Sequence, residues 1–154
     1  MENWKQDRIG AAVRGENPMV IARMKSGFAV IGDYQLLPGY CVLLRYPEAG
    51  SLNELSLKER QQYLLDMTLI GDAILKVCKP LRVNYATLMN EDHYLHTHIH
   101  PRYDWEPEPH RSKPVFLYPP EVKFGEDVAY CEEKHGELKR QLTQELERLM
   151  QESD

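Results

Sequence analysis

Residues between Ser51 and Pro80 recur in helical rows, at Leu64, Met67, Thr68, Gly71, Ile74, Leu75 and Cys78, and that spacing predicts one long helix with a single buried stripe. Its start is marked by Ser56 and Glu59, a capping-box pair whose side chains satisfy orphan backbone N–H groups, and its end by Pro80. Gly71 lets this helix lie close against a sheet, at about 1 kcal/mol of helix propensity relative to Ala. A second leucine row, Leu138, Leu142, Leu146 and Leu149, predicts a charged terminal helix from about 127 to 151. At the other end, Trp4, Ile9, Ala12 and Val13 give residues 2–13 one loose apolar side, closed by Gly15, Asn17 and Pro18.

Strand patterns lie between these helices. Met19 to Ile21 is a short apolar run before a Lys25-Ser26-Gly27 turn, and Phe28 to Asp33 and Tyr40 to Tyr46 flank a Pro-Gly turn within Gln35 to Gly39. They predict an antiparallel pair. Val83 to Met89 reads as a further strand, and Asn90-Glu91-Asp92-His93 as a tight turn into a histidine-bearing strand, with His93 exposed. Asp104 to Pro120 holds five of the ten prolines, so it is neither helix nor central strand. Long irregular segments of this kind are commonly lids or binding loops, and Trp105, Phe116 and Tyr118 either cover a ligand or, the favoured reading, anchor the loop to the core. The whole predicts a single α+β domain over residues 1–154, with a core at about 19–118 and terminal helices as extensions.

Composition narrows the function classes. A length of 154 residues suits one domain that buries about 70% of its unfolded surface. The net charge of −5 disfavours non-specific contact with a nucleic-acid backbone, so a phosphate ligand must be met locally, and Arg102, His110, Arg111 and Lys113 cluster for that purpose. Cys41, Cys78 and Cys131 are odd in number and widely spaced, which argues against a disulfide framework or a cysteine zinc site. No apolar run reaches membrane-span length and the first residues lack a secretory pattern, so a cytoplasmic location without membrane contact is expected.

The chemistry concentrates in Leu88 to Tyr103. His96, His98 and His100 alternate with Thr97 and Ile99, so a strand projects all three imidazoles from one face. Neighbouring members of the row stand ~6.5–7 Å apart at Cα and the outer two ~13 Å apart. A single zinc ion, which needs each ligand at about 2 Å, cannot take all three from a straight strand. A phosphate chain laid along the strand fits better, meeting one imidazole as nucleophile and the next as donor. A zinc hydrolase using His96, His98 and a carboxylate or His110 remains the alternative, and a non-catalytic nucleotide-binding module is a third.

The same stretch resembles the signature of the histidine triad (HIT) superfamily of nucleotidyl hydrolases and transferases, three histidines alternating with apolar residues and often followed by Pro-Arg. Read literally, His96, His98 and His100 form the triad, with His98 as nucleophile. Read without a gap, Asn90, Leu95, His96, His98, Ile99 and Pro101-Arg102-Tyr103 match the shorter bacterial form, which makes His96 the nucleophile and His98 the third histidine. The second register is preferred. Tyr94 then replaces the first histidine, and His100 stands at a normally apolar position.

The resemblance spans roughly Phe28 to Tyr103. It implies a five-stranded antiparallel sheet with one long central helix, a homodimer, and cleavage at the α-phosphate of a dinucleoside polyphosphate or nucleoside phosphoramidate through a phosphohistidine, with no cofactor and no metal. By the same resemblance His96 and His98 are catalytic, and Asn84, Asn90, Tyr94, His100 and Arg102 meet the nucleotide or its phosphate. Asp33 stands where the family's acidic residue meets ribose, although a turn-starting Asp is equally common there. Arg45 matches a frequent basic position, or is a solvated strand end.

Overall fold

The computed structural model describes residues 3–154; the expectation of helix at Glu2 lies outside them. Five strands form one antiparallel sheet: β1 (Val20–Met24), β2 (Gly27–Ile31), β3 (Cys41–Arg45), β4 (Arg82–Ala86) and β5 (His96–Arg102), in the order β1-β2-β3-β5-β4. The histidine strand is therefore interior, paired with β3 through Val42↔His98 and Leu44↔His96, and with β4 through Asn84↔His100 and Ala86↔His98. Helices α1 (Arg8–Val13), α2 (Leu57–Cys78), α3 (Pro120–Lys123) and α4 (Glu132–Glu152) complete an α+β architecture. Among the described residues no helix is long and apolar enough to cross a membrane.

The long helix begins where its capping box predicts, with Ser56 Oγ accepting from Glu59 N–H at 3.1 Å and Glu59 accepting from Ser56 N–H at 2.8 Å. Arg45, expected near a site or in solvent, is buried and pairs with Glu59 at 3.1 Å, joining the end of β3 to the start of α2. Helix α2 covers the sheet face that bears Thr97: Tyr63 Oη meets Thr97 Oγ1 at 2.8 Å. Since Thr97 alternates with His96 and His98, the histidines must occupy the opposite face.

The helical stripe needs correction. Leu64 and Leu75 are 51% and 43% exposed, and Thr68 is exposed too, whereas Met67, Gly71 and Ile74 of the expected stripe are buried, joined by Tyr63, Asp66, Leu69, Ile70 and Ala73. The exposed and the added buried positions both satisfy a three-four spacing with Met67 and Ile74, and α4 packing beside α2 shifts the buried arc toward Tyr63, Ile70 and Ala73. Gly71 does mark a close approach: a Cβ there meets Tyr85 Oη at 2.0 Å.

Element ends differ in informative ways. Helix α1 begins only at Arg8, after a short 3₁₀ turn, because Asp7 caps it by accepting from Gly10 N–H at 3.1 Å. Strand β4 stops at Ala86, so residues 87–95 form a nine-residue connection rather than a tight hairpin. Helix α4 starts at Glu132 instead of about 127.

Asp66 supplies a tie invisible to hydrophobic spacing. Its Oδ2 accepts from Ser26 N–H at 2.9 Å and Ser26 Oγ–H at 2.5 Å, fastening the β1–β2 turn to α2, and the side chain is 2% exposed. Asp66→Ala strands two buried donors, a loss of about 1–3 kcal/mol. Denaturant titration is expected to show a lower midpoint with an unchanged m-value, and an unaltered midpoint refutes the tie.

Candidate active site

A cleft of about 410 Å³ opens on the histidine face of the sheet, within the range of small-ligand sites. Its floor is Val30 of β2, Val42 and Leu44 of β3, Tyr94 just before β5, and His96, His98 and His100 along β5. Residues 115–124, at the end of the proline-rich region and just past it, form one wall through Phe116, Lys123 and Phe124; Glu91 and Asp92 form part of another. The strand pleat alone brings the histidine rings into a row, with centroids 5.0 Å apart for His96 and His98 and 6.0 Å apart for His98 and His100.

Each ring is held differently. His96 Nδ1 lies 2.8 Å from the carbonyl oxygen of Tyr94. A carbonyl only accepts, so the ring proton resides on Nδ1 and Nε2 presents its lone pair. His98 Nδ1 lies 2.7 Å from Tyr40 Oη. Burial raises the Tyr40 pKa, so the hydroxyl keeps its proton. It has no other acceptor, and donation to His98 Nδ1 puts that ring's proton on Nε2. His100 stacks flat on Tyr40, at 4.1 Å and 4°, with Phe116 edge-on at 5.9 Å.

His98 and His100 are kept neutral. Burial, reinforced by neighbouring His96, lowers His98 to about 4, with Asp92 acting weakly in the opposite sense. Burial lowers His100 to about 3, helped by His98, Arg102 and Lys123. Tyr94 is raised, chiefly by burial and then by Asp92, so it stands beside His96 as a neutral phenol with ring centroids 5.0 Å apart. A neutral imidazole keeps one nitrogen lone pair for nucleophilic attack and one N–H for donation, and it brings no positive charge to attract an anionic substrate.

Asp33 lines the cleft, but not alone. Its carboxylate accepts a forked pair from Arg8 at 2.7 and 3.2 Å, and Arg8 lines the cleft as well. Asn90 is exposed in the 87–95 connection and does not line the cleft, because the strand ends too early to form the expected hairpin mouth. Asn84 lies on β4 outside the cleft, its Oδ1 accepting from Arg102 at 3.1 Å.

Arg102 is buried with every N–H committed. It donates to Glu106 from Nε and Nη2 at 3.0 and 2.8 Å, and to Asn84 Oδ1 and the carbonyls of Lys113 and His110 at 2.7–3.1 Å. No donor remains for a phosphate. Its work is to hold the proline-rich loop. Tyr118 also belongs to that anchor, donating to Glu106 at 2.8 Å, while Trp105 stacks on Tyr103 away from the cleft. Of the three loop aromatics, Phe116 is the one in the cleft.

Sequence reasoning missed Tyr40, Arg8 and the pair Tyr34 and Phe124, whose rings meet edge-on at 5.3 Å at the rim. Tyr40 was detectable as a face-sharing neighbour once β3 and β5 were paired. Arg8 carried no signal, being 25 residues from Asp33. For the zinc alternative, among the described residues no group of three or more His, Cys, Asp or Glu converges to hold a metal ion.

No family model and no curated protein matches the sequence. Solved structures do share its fold. A histidine triad protein from Marinobacter aquaeolei VT8 superposes with a TM-score of 0.70 at 23% identity, over 84% of this chain and 89% of that one. One from Bradyrhizobium japonicum gives 0.69 at 19% identity, over 88% and 95%. A hypothetical histidine triad nucleotide-binding protein from Sulfolobus tokodaii strain 7 gives 0.69 at 13%, over 92% and 91%. The chain thus has the fold of the histidine triad proteins.

Neutral buried histidines make stability depend on pH. A ring whose folded pKa is about 4 or about 3, against about 6.5 unfolded, binds fewer protons when folded. Its stability is present above about pH 6.5 and is lost as pH falls toward the folded value, by roughly 2 kcal/mol per ring at about pH 5. The melting temperature is expected to drop between about pH 7 and about pH 5, and to drop less in His100→Gln, which cannot titrate. Parallel slopes in the two proteins refute a neutral buried His100.

Proposed function

We propose that this protein is a nucleotidyl hydrolase or transferase, acting at the α-phosphorus of a nucleoside phosphate derivative through a phosphohistidine at His96. The observation that carries the reading is the 2.8 Å bond from His96 Nδ1 to the Tyr94 carbonyl, which fixes the tautomer and leaves Nε2 as a nucleophile facing the cleft. The fold shared with histidine triad proteins, one of them described as nucleotide-binding, supports it.

In the first step His96 Nε2 forms a bond to the α-phosphorus as the bond to the leaving group breaks and takes its electron pair away. Water then attacks the same phosphorus, the P–N bond returns its electrons to Nε2, and the water proton passes to solvent. His98 Nε2–H donates to a phosphoryl oxygen as charge develops there, in the orientation Tyr40 imposes. Tyr94 lies beside the His96 ring where a first histidine stands in the family pattern, as a neutral donor to a non-bridging oxygen. His100 acts from beneath, stacking Tyr40 in place.

The nucleoside lies over Val30, Val42 and Leu44, with ribose toward Asp33 and Arg8 and the base against Tyr34 and Phe124. Asn90 and Arg102 drop out of the binding set on their placement. The reading includes a homodimer, supported by exposed Leu64 and Leu75 on α2 and by exposed Leu81, Tyr85 and Leu88 in and beside edge strand β4; a sedimentation mass equal to one chain argues against it.

Removal of the nucleophile eliminates the covalent route, whereas removal of a donor typically costs ~10²–10³ in rate. His96→Ala is therefore expected to lose turnover of an adenosine phosphoramidate or dinucleoside polyphosphate, and His98→Ala to retain a measurable fraction. A nucleotidylated peptide mapped to His98 overturns the register. Asp33→Ala is expected to raise KM for ribonucleotide substrates and leave 2′,3′-dideoxy analogues little affected; an equal response in both removes Asp33 from the ribose.

A further inference from the structure

The cleft continues past the histidines. His100, Val115 and Phe116 line both the cleft and a groove of about 600 Å³ over edge strand β4. Strand register sets the groove floor: Asn84 stands opposite His100, and Arg82 opposite Arg102, so these side chains share the histidine face. The far wall is the proline-rich loop, with Arg111 and Lys113.

Charge runs in one direction along this path. Glu91 and Asp92 line the cleft near Tyr94, at the start of the histidine row, whereas Arg82, Arg111 and Lys113 line the groove beyond His100. Two other charges near the groove are already compensated, Arg102 by Glu106 at 2.8 Å and Arg111 by Glu108 at 2.9 Å. Arg82 and Lys113 are exposed and enter no ion pair among the described residues. In a chain of net charge −5, two uncompensated cations facing one groove make a local attraction for an anion.

We propose that this groove is the leaving-group subsite, and that Arg82 and Lys113 select substrates whose leaving group is a polyphosphate chain over those that release a neutral amine. The inference rests on the nucleotidyl-transfer reading above. As His96 Nε2 bonds to the α-phosphorus, the electron pair of the breaking P–O bond stays on the bridging oxygen, and the chain departs as an anion that needs no proton. An amine must take up a proton to leave, and His98 and His100, the two rings between His96 and the groove, are held neutral by burial and poorly suited to supply one. The groove begins at His100, so a chain of a few phosphates extends from His96 into the field of Arg82 and Lys113.

The test uses the full chain and two probes that share the adenylyl half, diadenosine tetraphosphate and an adenosine phosphoramidate of a neutral amine. In Arg82→Ala/Lys113→Ala, kcat/KM for the tetraphosphate is expected to fall at least ~10-fold more than for the phosphoramidate, chiefly through KM. Inorganic tripolyphosphate, titrated calorimetrically, is expected to lose affinity by a similar factor, and Arg82→Lys/Lys113→Arg to restore both. Equal losses on the two probes, or unchanged tripolyphosphate affinity, overturn the groove assignment while the nucleotidyl reading stands. A wild-type chain that turns over neither probe refutes that reading, and the leaving-group role with it.

Discussion

The pleat of β5 is the constraint on which the site depends. Its residues alternate between a face buried under α2, where Thr97, Ile99 and Pro101 lie, and a face that presents His96, His98 and His100 to the cleft. Because the side-chain period is two, a slip of one residue would bury the imidazoles and expose the core row. Thr97 guards that register, since its hydroxyl meets both Tyr63 of α2 and Thr87 at 2.8 Å. An apolar residue at 97 would fill the space without marking the position along the strand.

A second layer of organisation fixes what the histidines can do. Ring orientation comes from outside the row: a backbone carbonyl for His96, a phenol for His98, and the face of the same phenol for His100. Tyr40 thereby touches two of the three rings from the residue just before β3. Burial keeps His98 and His100 neutral, so electrostatic attraction for an anionic substrate has to come from elsewhere. Cationic side chains do lie at the margins, Arg8 and Lys123 around the cleft and Arg82 and Lys113 around the groove.

The proline-rich loop shows how a buried ion pair can serve geometry. Glu106 is held in its ionised form against the opposing effect of burial by Arg102, by the Tyr103 N–H and by Tyr118. Arg102 gives its remaining donors to Asn84 Oδ1 and to the His110 and Lys113 carbonyls, so one guanidinium fixes the path of residues 106–113 and hence where Phe116 enters the cleft. Such a pair is a weak source of net stability, because desolvation offsets the attraction, yet removal of either partner leaves a buried charge. The Pro-Arg that looks like a phosphate contact in the sequence is thus the anchor of the proline-rich loop.

Much of the architecture was legible in the chain. Period-two alternation at 96–100, the capping box at Ser56 and Glu59, and the Pro-Gly turn before Tyr40 specify a histidine face, a long helix and an antiparallel pair, since these are local consequences of backbone geometry. Local rules placed Met67, Gly71 and Ile74 in the core but could not show that Tyr63, Ile70 and Ala73 join them in place of Leu64, Thr68 and Leu75, because both sets have helical spacing and the position of α4 decides which is covered. Nor could they show that Arg102 has no free donor, that Arg8 meets Asp33, or that β4 ends before Asn90 can reach the cleft. The sequence by itself determined which residues share a face, because that depends on periodicity along one segment; tertiary structure alone decided which of them are free to meet a ligand, because a donor's availability depends on partners brought together from distant parts of the chain.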